Sequence, residues 1–216
     1  MQVKNLLESC LRALYPYDAR CFACGMEAPL NEACLCEACS IKIRRAGELT
    51  APDGLCGLYA AFYYDEPLHR AVHSFKYLNA RYLARYFAAA FSLPKHWEFD
   101  VIVPVPLHPK RLRRRGYNQS ALLAVLLSKQ LGVPIEGSLL RRRLETQPQA
   151  GLSSAERKEN MLFAFNASNA VRGRSILLID DVVTTASTLS ACAMALNEKG
   201  AAKVYAACAC AAPLIH

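Results

Sequence analysis

The sequence has no long run of apolar residues. No window approaches the ~20 consecutive apolar residues that a membrane-spanning helix needs. The opening segment, MQVKNLLESCLRALYP, places leucines on one helical face, but Lys4, Glu8 and Arg12 interrupt it, so it lacks the continuous apolar region of a signal peptide. The sequence therefore predicts a soluble, cytoplasmic protein without a membrane span.

The sequence also lacks internal repeats and low-complexity tracts. Its 216 residues are 53% apolar and 20% charged, which is the composition of a folded protein, and the length allows one α/β domain with a small appendage. Acidic residues are the minority, 18 against 26 Lys and Arg, so the net charge is +8. This excess favours an anionic partner such as a phosphorylated metabolite, nucleic acid or a membrane surface.

Ten cysteines are present, and five of them crowd into residues 21–39. Because no export signal is found, these thiols are interpreted as metal ligands or core residues and not as disulfides. Two C-x-x-C knuckles, eleven residues apart, are typical of a structural zinc site, whose ligands would be Cys21, Cys24, Cys36 and Cys39. Cys34 offers a second choice for one ligand, and an iron–sulfur site or a redox pair is the alternative.

The rest of the chain alternates short apolar segments with helical patterns. Strands are predicted at residues 99–105, 175–179 and 203–210, and helices follow the first two of these. Repeated strand and helix order predicts a parallel sheet flanked by crossover helices. We expect a helix and zinc-finger region over residues 1–55 and an α/β domain over residues 56–216. The remaining cysteines are expected to be core thiols: Cys10, Cys56, Cys192, Cys208 and Cys210.

One strand leads directly into a segment with a chemical interpretation. SILLI, residues 175–179, is followed by DDVVTTAST at residues 180–188 and then by a helix beginning near Thr188. Ligands of parallel sheets bind beyond the carboxyl ends of the strands, and a helix N-terminus attracts phosphate. Hydroxyl and backbone N–H donors for phosphate are expected from Thr184, Thr185, Ser187 and Thr188. Asp180 and Asp181 would repel phosphate, so they are assigned to the paired hydroxyls of a ribose; the alternative is an acidic helix cap.

This segment resembles the signature of the type I phosphoribosyltransferases, which is usually written as a strand, two acidic residues and Thr-Thr-Gly-Ala/Ser-Thr. The resemblance implies ribose contacts from Asp180 and Asp181 and 5-phosphate contacts from Thr184 through Thr188. Ala186 stands where that family most often has glycine. If the turn needs a left-handed residue, alanine costs ~1 kcal/mol or more.

Pyrophosphate, the leaving group of phosphoribosyl pyrophosphate, needs a second anion site and normally travels with Mg²⁺. The segment VPVPLHPKRLRRRGYNQ, at residues 103–119, is predicted to be a basic loop that supplies this charge, with Arg111 and Arg115 as candidates. Lys76 in HSFKY is a further candidate, because aromatic neighbours allow a lysine to extend toward an anion. A solvated basic face or a nucleic-acid contact is the alternative.

The ordered series of these motifs resembles the ComF family over nearly the entire chain. The series consists of the cysteine cluster, FKY, PVPLHPKRLRRRGYNQ, TQPQAGLSSAERKEN and DDVVTTAST. The resemblance implies a phosphoribosyltransferase-like domain behind an N-terminal zinc finger, and a link to DNA uptake or use, notably natural transformation. A long loop is predicted over residues 141–160, and its polar residues Gln149, Arg157 and Asn160 match spaced polar residues of the family. These residues would either close over the substrate or only organise the loop.

Two functional hypotheses follow. In the first, the protein is an enzyme that binds Mg²⁺ and phosphoribosyl pyrophosphate, or a related phosphorylated ribose, and transfers ribosyl phosphate to an acceptor. In the second, it is a non-catalytic phosphoribosyl- or nucleotide-binding module that contacts single-stranded DNA or a DNA-uptake or recombination protein. No residue stands out in the sequence as a general base.

Overall fold

The computed structural model describes residues 20–142 and 164–212. The α-helices are α1 (Glu37–Lys42), α2 (Leu68–Tyr77), α3 (Leu83–Ala89), α4 (Pro109–Arg115), α5 (Gln119–Leu131) and α6 (Ser187–Glu198). The strands are β1 (Arg45–Leu49), β2 (Gly57–Tyr63), β3 (Val101–Pro104), β4 (Leu140–Arg142), β5 (Phe165–Ala167), β6 (Ser175–Val183) and β7 (Lys203–Ala211). Short 3₁₀ helices cover Gly137–Leu139 and Asn169–Val171.

A five-stranded sheet with the order β1-β2-β7-β6-β3 forms the centre of the fold. Strands β2, β7, β6 and β3 are parallel to one another, and β1 pairs antiparallel with β2 at one edge. Both faces of the parallel strands are covered, which explains why the strand sequences are continuous apolar runs without alternation. The predicted parallel sheet flanked by helices is confirmed.

Alternate residues of the strands pack into two separate layers of core. Leu177 and Ile179 of β6 face helices α2, α3 and α5, whereas Ile176 and Leu178 face α6 and the antiparallel pair of β4 and β5. All four side chains are fully buried. At roughly 25 cal/mol per Å² of buried apolar surface, burial on both faces stabilises the position of β6 in the sheet.

Two local predictions are corrected by the structure. The acidic pair does not end the strand, because β6 continues to Val183 and pairs there with β7. The basic segment is not a loop, because Pro109 to Arg115 form helix α4. The imidazole of His108 accepts a hydrogen bond from the Lys110 N–H at 3.2 Å, and Gly116 ends the helix with φ +75°. Proline at the start and left-handed glycine at the end are ordinary helix boundaries.

The cysteine-rich segment packs against the α/β layers. Phe22 stacks on Tyr86 with ring centroids 5.3 Å apart and meets Phe87 edge-on at 6.0 Å. Residues 45–49 already belong to the main sheet as β1. The division of the chain near residue 55 stays a prediction. Among the described helices, none is long and apolar enough to cross a membrane.

Candidate functional site

The turn between β6 and α6 carries the predicted phosphate donors. Thr184, Thr185 and Ser187 are exposed, and the hydroxyls of Thr185 and Ser187 are 2.9 Å apart, within hydrogen-bond distance. The first N–H groups of an α-helix have no partner inside the helix and point along its axis. The turn therefore offers hydroxyl and N–H donors at the positive end of a twelve-residue helix, which is a suitable site for a phosphate group.

Ala186, directly before α6, has the left-handed conformation that is expected where related sequences usually have glycine. Its φ is +57° and its ψ is 0°. A left-handed conformation costs an L-residue roughly 1–2 kcal/mol because Cβ crowds the following carbonyl. The turn thus keeps the backbone shape that glycine allows, and the chain bears a local conformational cost to keep it.

We expect Ala186→Gly to stabilise the protein by about 1 kcal/mol, since glycine removes the crowding but adds entropy to the unfolded chain. For a chain of this length the thermal midpoint should rise by about 2–4 °C, measured by calorimetry. Ala89→Gly is the matched control, because Ala89 is exposed at a right-handed position of α3. That control should lower stability by up to about 1 kcal/mol. A destabilised Ala186→Gly variant would contradict the expectation.

Asp180 is held by donors from two elements. The Ser120 hydroxyl at the start of α5 donates to its Oδ1 at 2.9 Å, and the Asp181 N–H donates to the same oxygen at 2.8 Å. Burial raises the pKa of Asp180 to about 7, and the neighbouring Asp181 carboxylate raises it further against the opposing hydrogen bonds and the charge of Lys76. Asp180 thus changes charge near neutral pH. Both of its hydrogen bonds use Oδ1, and Oδ2 makes no hydrogen bond to a described residue.

Asp181 is paired with a lysine from a different part of the chain. Nζ of Lys76, at the end of α2, lies 3.1 Å from Asp181 Oδ1, and the lysine side chain is 21% exposed. The structure therefore places Lys76, which the sequence offered as a candidate for contact with an anion, beside the acidic pair. Because the lysine is partly exposed, it can also contact an anion that binds above β6.

The end of α2 is fixed by the segment that joins α4 to α5. The Tyr117 hydroxyl and the Gln119 side-chain amide both donate to the Phe75 carbonyl oxygen, the second at 3.2 Å. Asn118 caps α5 by accepting from the Ser120 N–H at 3.1 Å and donates to the Val105 carbonyl at 3.0 Å. These contacts hold Lys76, Ser120 and the carboxyl end of β3 in one arrangement around the acidic pair.

The two arginines singled out from the basic segment lie in different surroundings. Arg115 donates to Gln119 Oε1 at 3.0 Å and to the Tyr77 hydroxyl at 3.3 Å, so it is tied to the end of α2. Arg111 is exposed on α4. Partial burial lowers the pKa of the half-buried Arg142, and the charge of Arg111 lowers it further. Sequence reasoning overlooked Arg142 and Ser120, because neither belongs to a local pattern.

A second site lies in the N-terminal segment. One sulfur from each of Cys21, Cys24, Cys36 and Cys39 lies within 4.8 Å of the other three, and the Cys24 and Cys36 sulfurs are 3.9 Å apart. A tetrahedral ion with bonds of about 2.3 Å needs sulfurs about 3.8 Å apart, so the four side chains fit a metal ion. Cys34, the competing ligand, is outside this group and has φ +57°.

The thiols of this cluster have opposed ionisation tendencies. Burial raises the pKa of Cys24 and of Cys39. At Cys21 burial acts in the same direction, but hydrogen bonds from the backbone of Cys24, Cys36 and Ala23 outweigh it and lower the pKa to about 7. Four neighbouring thiolates need a cation, and a bound metal ion would stabilise all of them together.

The other cysteines lie elsewhere. Cys192, Cys208 and Cys210 are buried in the core as expected, whereas Cys56 is exposed because it precedes β2 at the end of a turn. The lid candidates Gln149, Arg157 and Asn160, and also Cys10, lie outside the described residues.

The chain is similar to several known proteins. A family model described as "Phosphoribosyl transferase domain" matches residues 117–213, from the start of α5 through β7. The chain is 31% identical to the DNA utilization protein YhgH of Salmonella typhi, over 88% of this chain and 96% of that protein. It is 30% identical to competence protein F of Haemophilus influenzae, over 87% and 95%, and 28% identical to competence protein ComFC of Bacillus subtilis, over 84% and 73%.

Solved structures give more distant matches. The glutamine phosphoribosylpyrophosphate amidotransferase from B. subtilis is 21% identical, with a TM-score of 0.39 over 64% of this chain and 26% of that chain. A purine phosphoribosyltransferase from Pyrococcus horikoshii is 18% identical, with a TM-score of 0.32 over 63% and 69%.

Proposed function

The chain belongs to the ComF family, and we propose that it binds phosphoribosyl pyrophosphate with Mg²⁺ and transfers the ribosyl phosphate to an acceptor. One observation carries this proposal. Asp180 and Asp181 lie near the carboxyl end of β6, and the turn that follows this strand has the left-handed Ala186 directly before the N-terminus of α6. The carboxylates can accept hydrogen bonds from the ribose hydroxyls, and the turn and the helix N-terminus can donate to the 5-phosphate of the same ribose phosphate.

The 5-phosphate is assigned to the turn from Thr184 to Thr188. It would be bound by hydroxyls and backbone N–H groups without a paired cation. The ribose hydroxyls are assigned to the carboxylate oxygens of Asp180 and Asp181 that stay free of the bonds to Ser120 and Lys76. A carboxylate is a strong acceptor for a hydroxyl donor, so the pair fixes the orientation of the sugar ring.

Pyrophosphate is assigned to the region beyond β3, which neighbours β6. Pro104 of β3 is in register with Ile179 of β6, and the Val105 N–H donates to the Ile179 carbonyl at 2.9 Å. The basic helix α4 follows this strand end. Mg²⁺ prefers carboxylate and phosphate oxygens, so a Mg²⁺ ion that arrives with the pyrophosphate would keep its phosphate ligands and be attracted by the negative charge of the acidic pair.

In the transfer, the bond between C1 of the ribose and the pyrophosphate oxygen breaks, and its electron pair leaves with pyrophosphate. The acceptor's lone pair forms the new bond to C1, through a transition state with oxocarbenium character. The protein's contribution is to hold the sugar and to stabilise the charge that develops on the leaving group. Cations near β3 and α4 serve this second purpose.

For the cysteine cluster we propose a structural zinc ion. Four cysteine sulfurs in two C-x-x-C knuckles match the donor set and spacing that zinc favours. Because Phe22 of the first knuckle is buried against α3, ion binding would also order part of the main core. The predicted cytoplasmic location, where free thiols persist, fits such a site but stays a prediction.

A second candidate function, contact with single-stranded DNA, has its own support. Arg114 and Arg115 lie over the ring of Tyr77, which is 50% exposed, with guanidinium-to-centroid distances of 5.7 and 5.0 Å. Arg81 lies over Tyr117 at 4.7 Å on the neighbouring surface. Exposed tyrosine beside arginines is a surface on which bases stack. The names of the relatives, which refer to competence and DNA utilization, are consistent with it.

The deciding experiment measures binding and turnover separately. We expect calorimetric titration to give binding of ribose 5-phosphate and tighter, Mg²⁺-dependent binding of phosphoribosyl pyrophosphate. A screen of nucleobases and amines for pyrophosphate release should then identify the acceptor class. Binding without release across the whole screen would favour the non-catalytic module, and absence of both binding events would sink the proposed function.

A further inference from the structure

Arg142 is a half-buried arginine that forms no ion pair with a carboxylate of the described residues. It ends β4, pairs with Phe165 of β5, and places its guanidinium 5.2 Å from the centre of that ring. The Nε atom is buried without a hydrogen-bond partner, and no described carboxylate forms an ion pair with the side chain. Proteins rarely bury an unpaired charge, so this donor group indicates an anionic ligand.

The fold places Arg142 beside the basic segment. The 3₁₀ helix directly before β4 packs on the end of β3, where a Cβ on Gly137 would lie 3.6 Å from the ring of Pro104. The electrostatics are consistent with this proximity. Burial lowers the pKa of His108, and the charge of Arg142 lowers it further. The pKa of Arg142 is lowered in the same way, first by burial and then by the charge of Arg111. Two segments distant in sequence thus bring their cationic groups together.

Groups of β6 and α6 also act electrostatically on Arg142. Burial and then Arg111 lower the pKa of Arg142, while the thiol of Cys192 and the charge of Asp180 act in the opposite direction. Arg142 is therefore within electrostatic reach of the acidic pair as well as of α4. A ligand that extends from the turn after β6, across Asp180, to the end of β3 would bring its far end to this arginine.

We propose that Arg142, with Arg111 beside it, binds the pyrophosphate group of phosphoribosyl pyrophosphate and contributes little to the 5-phosphate. This inference rests on the proposed function for the position of the ribose. Pyrophosphate carries more charge than the 5-phosphate, and a planar guanidinium donates two parallel hydrogen bonds to phosphate oxygens. Arg142 would then stabilise the charge that grows on the leaving group.

The test uses the full chain and three ligands, each with Mg²⁺: pyrophosphate, phosphoribosyl pyrophosphate and ribose 5-phosphate. Arg142→Ala should weaken the first two by about 10-fold or more, as expected for loss of a charge-assisted bond, and leave ribose 5-phosphate within about 2-fold. Arg142→Lys should recover part of the loss, because it restores charge without the planar fork. Arg141→Ala is the matched control, since Arg141 is the exposed neighbour on β4; it should change none of the three.

Equal weakening of all three ligands, or no change, would overturn the assignment, provided that the thermal midpoint of Arg142→Ala shows a folded protein. If Arg142→Ala does not fold, Arg142→Lys carries the test, because it must still weaken pyrophosphate more than ribose 5-phosphate. A wild-type protein that binds pyrophosphate but not ribose 5-phosphate would refute the proposed function and still test Arg142. A wild-type protein that binds no pyrophosphate would refute this inference directly.

Discussion

Asp181→Asn is expected to weaken the binding of Mg²⁺-phosphoribosyl pyrophosphate by about 10- to 100-fold, because a hydrogen bond to a charged group contributes roughly 1.5–3 kcal/mol. Asparagine keeps the shape of the side chain but loses the charge that attracts both hydroxyl donors and Mg²⁺. The double variant with Asp180→Asn should bind more weakly still. Calorimetric titration at fixed Mg²⁺ measures the effect, and Asp53→Asn, at an exposed position, is the control that should not change it.

Single-stranded DNA binding by the same variants separates the two candidate functions. If the exposed arginine and tyrosine side chains bind DNA, its affinity should not fall when the acidic pair is neutralised. Unchanged binding of phosphoribosyl pyrophosphate in the double variant would show that the ribose lies elsewhere.

The pH dependence of binding tests the role of Asp180. The pKa of Asp180, raised by burial to about 7, means that this group is mostly protonated at pH 6 and mostly ionised at pH 8. Affinity for the Mg²⁺ complex should therefore rise over this interval. The ligand's phosphates titrate near pH 6 as well, so the wild type must be compared with Asp180→Asn. A profile of equal steepness in both proteins would contradict a role for Asp180 ionisation.

Local sequence patterns were sufficient for the features whose partners are close in sequence. The spacing of Cys36 and Cys39 distinguishes them from Cys34, because a two-residue gap lets both sulfurs of a knuckle face one ion. The strand, acidic pair and threonine-rich turn likewise form one continuous stretch, which brings their donors and acceptors together whatever surrounds them. The left-handed Ala186 follows from the same pattern, since glycine is usual at that position.

Features that depend on packing between distant segments were not predictable in this way. Ser120 reaches Asp180 across sixty residues of sequence, and Lys76 reaches Asp181 across more than one hundred. Both contacts need the crossover helices to be in place on the sheet. Helix α4 was overlooked for a different reason, because its arginines suggested a solvated loop while Pro109 and Gly116 at its ends indicated a helix.

Cys36→Ser should remove the bound metal and destabilise the protein by several kcal/mol, with a fall in the thermal midpoint on the order of 10 °C. The reason lies in the packing: Cys36 is buried in the same core layer as Phe22, Phe87 and the helices that hold Lys76. Loss of the ion would free both knuckles and expose the aromatic contact between Phe22 and α3. Elemental analysis and calorimetry on the purified chain give the two measurements.

Cys34→Ser provides the matched control, since it changes the same chemical group two residues away without altering the four-sulfur cluster. It should keep one equivalent of zinc and nearly the wild-type thermal midpoint. If Cys34→Ser loses the metal and Cys36→Ser keeps it, then Cys34 and not Cys36 is the fourth ligand. Iron in place of zinc would favour an iron–sulfur site, because zinc is redox-inactive and an iron–sulfur cluster would respond to reductant. Since Phe22 and the end of α2 share a core, a metal-free protein should also bind phosphoribosyl pyrophosphate more weakly.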